Sequence, residues 1–111
     1  MWNVDPKVMC NKHLFGEHVE MHMFAGTIKK NKSIQGYLDN QLVEVHNIKK
    51  RHDELVKEIK KRGFNHKSPI IQPKFGVLRG SKAGFVDIQD NMLELRKRCP
   101  ECRNLQRKQL L

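Results

Sequence analysis

Residues 40–62 read NQLVEVHNIKKRHDELVKEIKKR and are followed by Gly63. Leu42, Val45, Ile48, His52, Leu55, Val56 and Ile59 recur at helical spacing and make one stripe, while Lys49, Lys50, Asp53, Lys57, Lys60 and Lys61 fall on the wet faces. Asp53–Lys57 and Glu58–Arg62 are opposite charges four apart. Lys60, Lys61 and Arg62 suit the negative end of the helix dipole, and Gly63 is placed to end the helix. The pattern predicts an amphipathic helix from about Asn40 to Arg62.

Upstream, Leu14, His18, Met21, Ala25 and Ile28 repeat at four, three, four and three, predicting a second helix from Lys12 to the Gly26–Lys30 region. Asp5 and Pro6 give an earlier start signal and Asn11 another, and 31–36 read as a polar loop. Downstream of Phe64 the helical pattern stops. Pro69, Pro73, Gly76, Gly80 and Gly84 interrupt any helix, Lys67, Lys74, Arg79 and Lys82 punctuate the stretch, and Ile70, Ile71, Val77 and Leu78 allow short strands. A helix is expected over Ile88–Arg98, capped by Asp87 or Asp90, with Met92 and Leu95 facing inward. Pro100 marks a break, and Leu105 with Leu110 hints at a last short helix. The expected fold is all-α, a single compact helical domain over residues 1–111 with a long basic loop between the helices at 40–62 and 88–98.

Length and charge narrow the function. With 111 residues the chain holds one core, and 22 Lys and Arg against 12 Asp and Glu leave a formal charge of +10. A surplus of that size favours nucleic acid, because neutralised phosphates release their counterions. No apolar run is long enough to span a bilayer, the first residues lack the apolar segment of a signal peptide, and three cysteines do not build a disulfide framework. The expectation is a cytoplasmic, monomeric, basic domain; a secreted scaffold, a membrane protein and a coiled coil are excluded.

His13, Glu17 and Glu20 follow at four and three and share one helix face beside the apolar stripe. That spacing equally describes a hydrated face. The run His13-Leu14-Phe15-Gly16-Glu17-His18-Val19-Glu20, followed by Gly26, and the block Arg51 to Asn65 with its Lys61-Arg62-Gly63-Phe64-Asn65 ending, resemble the pyrimidine-dimer DNA glycosylases, the bacteriophage endonuclease V family. The resemblance spans about residues 8 to 66. It implies a DNA repair glycosylase and abasic-site lyase, whose N-terminal α-amine attacks C1′ of the damaged nucleotide to form an imine. A helix glutamate, Glu20 by position, then assists β-elimination. Family members expose a small residue after losing the initiator; here Met1 precedes bulky Trp2, so the amine is that of Met1. An α-amine with an ordinary pKa near 8 is partly unprotonated at neutral pH, as a nucleophile must be.

Chain reach constrains this assignment. An unbroken helix from Pro6 to Glu20 would rise about 21 Å, beyond the roughly 17 Å that Met1–Pro6 can span. Restarting the helix near Asn11 cuts the climb to about 13 Å, so a break is required between Lys7 and Lys12.

Two arginines that flank the glutamate in the family are Val19 and Met23 here, so DNA contacts fall to His13, His22, Lys67, Lys74, Arg79 and Lys82. Trp2 either stacks on the opened nucleotide or anchors the N-terminus in the core. Cys99-Pro100-Glu101-Cys102 has the spacing of half a zinc site, which Cys10 and one of His46, His52 or His66 would complete. The residues favour reduced cysteines at the core edge, and no metal or cofactor is assigned. The partner expected is double-stranded DNA with a damaged or abasic nucleotide, and no membrane. The rival readings are a non-catalytic DNA-binding module and a zinc-stabilised interaction protein.

Overall fold

The computed structural model describes residues 1–66, 68–73 and 84–110, and every regular element in them is helical. Five α-helices run in order: α1 Asn11–Lys29, α2 Gln35–Asp39, α3 Ile48–Lys61, α4 Ile88–Arg98 and α5 Pro100–Leu110, with 3-10 turns at Pro6–Val8 and Val45–Asn47. No helix among the described residues is long and apolar enough to cross a membrane.

The centre is the packing of α1 on α3. Leu14, Met21, Phe24 and Ile28 of α1 meet Ile48, Leu55 and Ile59 of α3, all buried. Truncating one of these to alanine costs about 2–5 kcal/mol through lost transfer energy and the cavity left behind. Helices α4 and α5 form a hairpin hinged at Cys99, and α5 packs on the Pro6–Val8 turn. The 1–10 arm is therefore sandwiched, with Met1, Val4, Val8, Met9 and Cys10 all in the core.

Three helices end in the same way. The backbone turns left-handed at Asn31 (φ 58°), Gln41 (φ 57°) and Gly63 (φ 91°). The following amides of Lys32, Leu42 and Phe64 then donate to Thr27, Tyr37 and Ile59 carbonyls at 3.1, 2.8 and 3.2 Å. These are Schellman closures, which satisfy carbonyls the helix leaves orphaned.

The all-helical class, α1, α4 with its Asp87 cap, and α5 stand as the sequence pattern predicts. Met92 is half-buried and Leu95 fully buried, as expected. The required break is present: Asp5 caps one turn only, and α1 restarts at Asn11. Other expectations are corrected. The helix expected from Asn40 begins at Ile48, because Gln41 turns left-handed and the buried Glu44 carboxylate is drawn away to accept the Val86 amide at 2.8 Å. Leu42, placed on the buried stripe, is 46% exposed. Asp53 pairs with Lys49 at 2.7 Å rather than with Lys57, while Glu58–Arg62 forms at 3.4 Å. Gln35 and Gly36, read as loop, open the short helix α2. Ile70 and Ile71 form no strand; Val77 and Leu78 lie outside the described residues, as does much of the expected basic loop.

Candidate active site

The N-terminal arm reaches α1 because it is pinned at each step. Asn3 adopts a left-handed conformation (φ 57°), and its amide donates to Glu17 Oε2 at 3.3 Å. Asn91 Nδ2 on α4 donates to the Trp2 carbonyl at 2.8 Å, and Nη2 of Arg62, the residue that closes α3, donates to the Pro6 carbonyl at 3.0 Å. The Met1 side chain sinks into the core, so the bulk that distinguishes this terminus becomes its anchor.

The anchored residue delivers its α-amine to Glu20. The amine donates to Glu20 Oε1 and, at 2.7 Å, to the Leu42 carbonyl just after the left-handed turn at Gln41. The Glu20 side chain is 35% exposed, so the carboxylate of the pair opens to solvent, while Met1 behind it is buried. A carboxylate in contact with an amine can take its proton and then stabilise positive charge on the same nitrogen.

Glu17, one turn earlier, is in a different position. Its carboxylate is closed by Arg51 of α3, with Nε to Oε2 at 2.6 Å and Nη2 to Oε1 at 2.8 Å, and both side chains are buried. Arg51 also donates to Glu54 at 3.2 Å. The hydrated face expected for His13, Glu17 and Glu20 is thus buried at its centre, and of the two glutamates only Glu20 is open to chemistry.

Of the candidate DNA-contacting residues that are described, Trp2 and His13 lie together and His22 belongs to a different group. Trp2 is half-buried, its ring met edge-on by His13 with centroids 6.0 Å apart and covered by the Arg98 guanidinium at 5.5 Å. These contacts pack Trp2, partly buried, against the core. His13 turns its Nδ1 to Cys10 Sγ at 3.2 Å, and burial, with the Lys12 and Arg98 charges, holds its pKa below the usual value. The buried Nε2 of His22 faces a cluster of histidines. Lys67, Lys74, Arg79 and Lys82 lie outside the described residues.

Two groups of side chains have the composition of metal sites: Cys10, His13, Cys99 and Cys102, and His18, His22, His52 and His66. In the first, His13 stands where His46, His52 or His66 was expected. In the second, burial and the facing rings of His52, His22 and His66 push His18 down to about 4, so its ring is neutral with a free lone pair at neutral pH. The sequence reading missed the Leu42 carbonyl and the Arg51–Glu17 pair. The closing signal at Asn40–Gln41 was available for the first; nothing local marks the second.

A family model described as pyrimidine dimer DNA glycosylase matches residues 1–72, a span holding Met1, Glu17, Glu20, Leu42 and Arg51. No curated protein and no solved structure matches the chain.

Proposed function

Because the chain belongs to the pyrimidine dimer DNA glycosylase family, we propose that it excises a damaged base from duplex DNA and cuts the strand at the resulting abasic site. The nucleophile is the α-amine of Met1 and the acid–base group is Glu20. The observation that carries this reading is the hydrogen bond between them, made by a glutamate whose side chain opens to solvent.

The steps follow from those two groups. Glu20 takes a proton from the amine, and the freed lone pair attacks C1′. The glycosidic bond breaks, and its electron pair leaves with the base, which gains a proton. The nitrogen, cationic after the attack, gives up a second proton; its regained lone pair then opens the sugar ring, O4′ takes a proton, and a C1′ iminium remains. At a pre-existing abasic site the same iminium forms from the C1′ aldehyde with loss of water. Glu20 next removes a C2′ proton; the electrons shift into the iminium, the C3′–O bond breaks, and the 3′ phosphate departs with the bonding pair. Water hydrolyses the remaining imine and restores the amine. Both groups belong to one chain, so a monomer suffices.

The test is borohydride reduction during turnover on UV-irradiated, abasic and undamaged duplexes run side by side. Covalent adducts and cutting on the 3′ side are expected on the first two only. Salt-sensitive binding to all three with no adduct would leave a non-catalytic DNA-binding module.

A further inference from the structure

We propose that the chain carries a structural zinc ion held by Cys10, His13, Cys99 and Cys102, and independently a second zinc held by His18, His22, His52 and His66. Neither group takes part in the chemistry proposed for Met1 and Glu20, and Cys99 and Cys102 lie beyond the residues that the family model matches.

Geometry carries the first site. Zinc bonds of about 2.3 Å to sulfur and about 2.0–2.1 Å to nitrogen in a tetrahedron place ligand atoms roughly 3.5–3.8 Å apart. Cys10 Sγ lies 3.8 Å from Cys99 Sγ and 3.2 Å from His13 Nδ1, and Cys102 Sγ lies 3.7 Å from His13 Nδ1; all four ligand atoms fall within 4.8 Å of one another. The three cysteines are free and buried. Backbone amides point at two of the sulfurs, Cys10 to Cys102 Sγ at 3.3 Å and Cys102 to Cys99 Sγ at 3.5 Å, which fixes where those sulfurs sit. Three thiols and an imidazole converging without a disulfide are the donor set of a closed zinc site. Chain position gives it a purpose. Cys10 and His13 flank the start of α1, whereas Cys99 and Cys102 sit at the α4–α5 hinge. A zinc here clamps the C-terminal hairpin to the arm that delivers the amine.

A different observation carries the second site. The Nε2 atoms of His18, His22, His52 and His66 are all buried, and none has a hydrogen-bond partner among the described residues. Buried polar atoms are almost always satisfied; four orphans converging within 4.8 Å share one missing partner. His18 and His22 stand one turn apart on α1, His52 comes from α3, and His66 follows that helix. His52 Nδ1 meets Asp53 Oδ1 at 2.9 Å, which orients the ring and leaves Nε2 for a metal. Both sites use four protein ligands with no open position, the mark of structural rather than catalytic zinc.

The test uses the full wild-type chain without a histidine tag. Native mass spectrometry after expression with zinc chloride should show two zinc ions per chain, and chelation should lower the melting temperature. Cobalt chloride titrated into the chelated protein should bind at two equivalents, one with a thiolate-to-cobalt charge-transfer band and one with tetrahedral visible bands alone. Cys102→Ala should lose one equivalent together with the charge-transfer band, and His22→Ala should lose the other. One equivalent bearing the thiolate band would overturn the histidine site; one without it would overturn the cysteine site. A folded protein that binds neither zinc nor cobalt would overturn both, and none of these readouts depends on DNA cutting.

Discussion

Glu17 and Glu20 lie on the same helix, and their neighbours give them opposite tasks. Glu17 is locked in a bidentate pair with Arg51 inside the core, whereas Glu20 holds the terminal amine and faces solvent. Glu20→Gln keeps the shape and removes the base, so strand cutting should fall by about 100-fold or more while binding to an abasic duplex stays nearly intact. Quantitative gel assays beside a binding titration separate the two effects. Glu17→Gln should instead act on stability. It leaves Arg51 buried without its main counter-ion, which costs about 3–5 kcal/mol in chemical denaturation. Replacing both partners, Glu17→Gln with Arg51→Met, should recover much of that loss, because no charge then remains uncompensated.

At the scale of elements, the loop between α2 and α3 supplies the Leu42 carbonyl to the amine, and Gly84 keeps the loop in place. Gly84 has φ 99°, and a Cβ there would lie 2.1 Å from the Val43 carbonyl oxygen and 2.9 Å from Leu38 Cδ2. Gly84→Ala should therefore lower the melting temperature and displace the 42–44 backbone, weakening strand cutting as well. Gly16 on α1 has nothing within 4 Å of its Cβ position, so Gly16→Ala should stabilise the fold by about 0.5–1 kcal/mol. Periodicity made α1, α4 and α5 legible because each carries a long run of inward residues or a clear cap. It overextended α3, since Leu42 and Val45 fit helical spacing whether or not the chain is helical there. The deciding contact, Glu44 to the Val86 amide, joins residues 42 positions apart. Helix α2 was invisible for a simpler reason: five residues cannot show a stripe. In the site, Glu20 was readable from the family resemblance and the reach of the arm. The Arg51–Glu17 pair and the fourth ligand at the cysteines depend on how α1, α3 and the hairpin come together, which no local pattern encodes.

Across the whole molecule, one chain end is held by elements from every part of the fold. The Met1 side chain is in the core, Asn91 of α4 grips the Trp2 carbonyl, Arg62 at the close of α3 holds the Pro6 carbonyl, and α5 packs on the Pro6–Val8 turn. A mobile terminus would have to be ordered anew at each turnover; under the proposed function the held amine is in place before DNA arrives, which is how proximity lowers a barrier. In the proposed function the +10 charge draws DNA toward the chain, and the Met1 nitrogen is the group on which the enzymatic reading rests. Borohydride-reduced complexes on abasic duplex, digested and mapped by mass spectrometry, test that claim most directly. The account predicts the reduced sugar remnant on the α-nitrogen of Met1; a remnant on a lysine side chain, with Met1 unmodified, would contradict it.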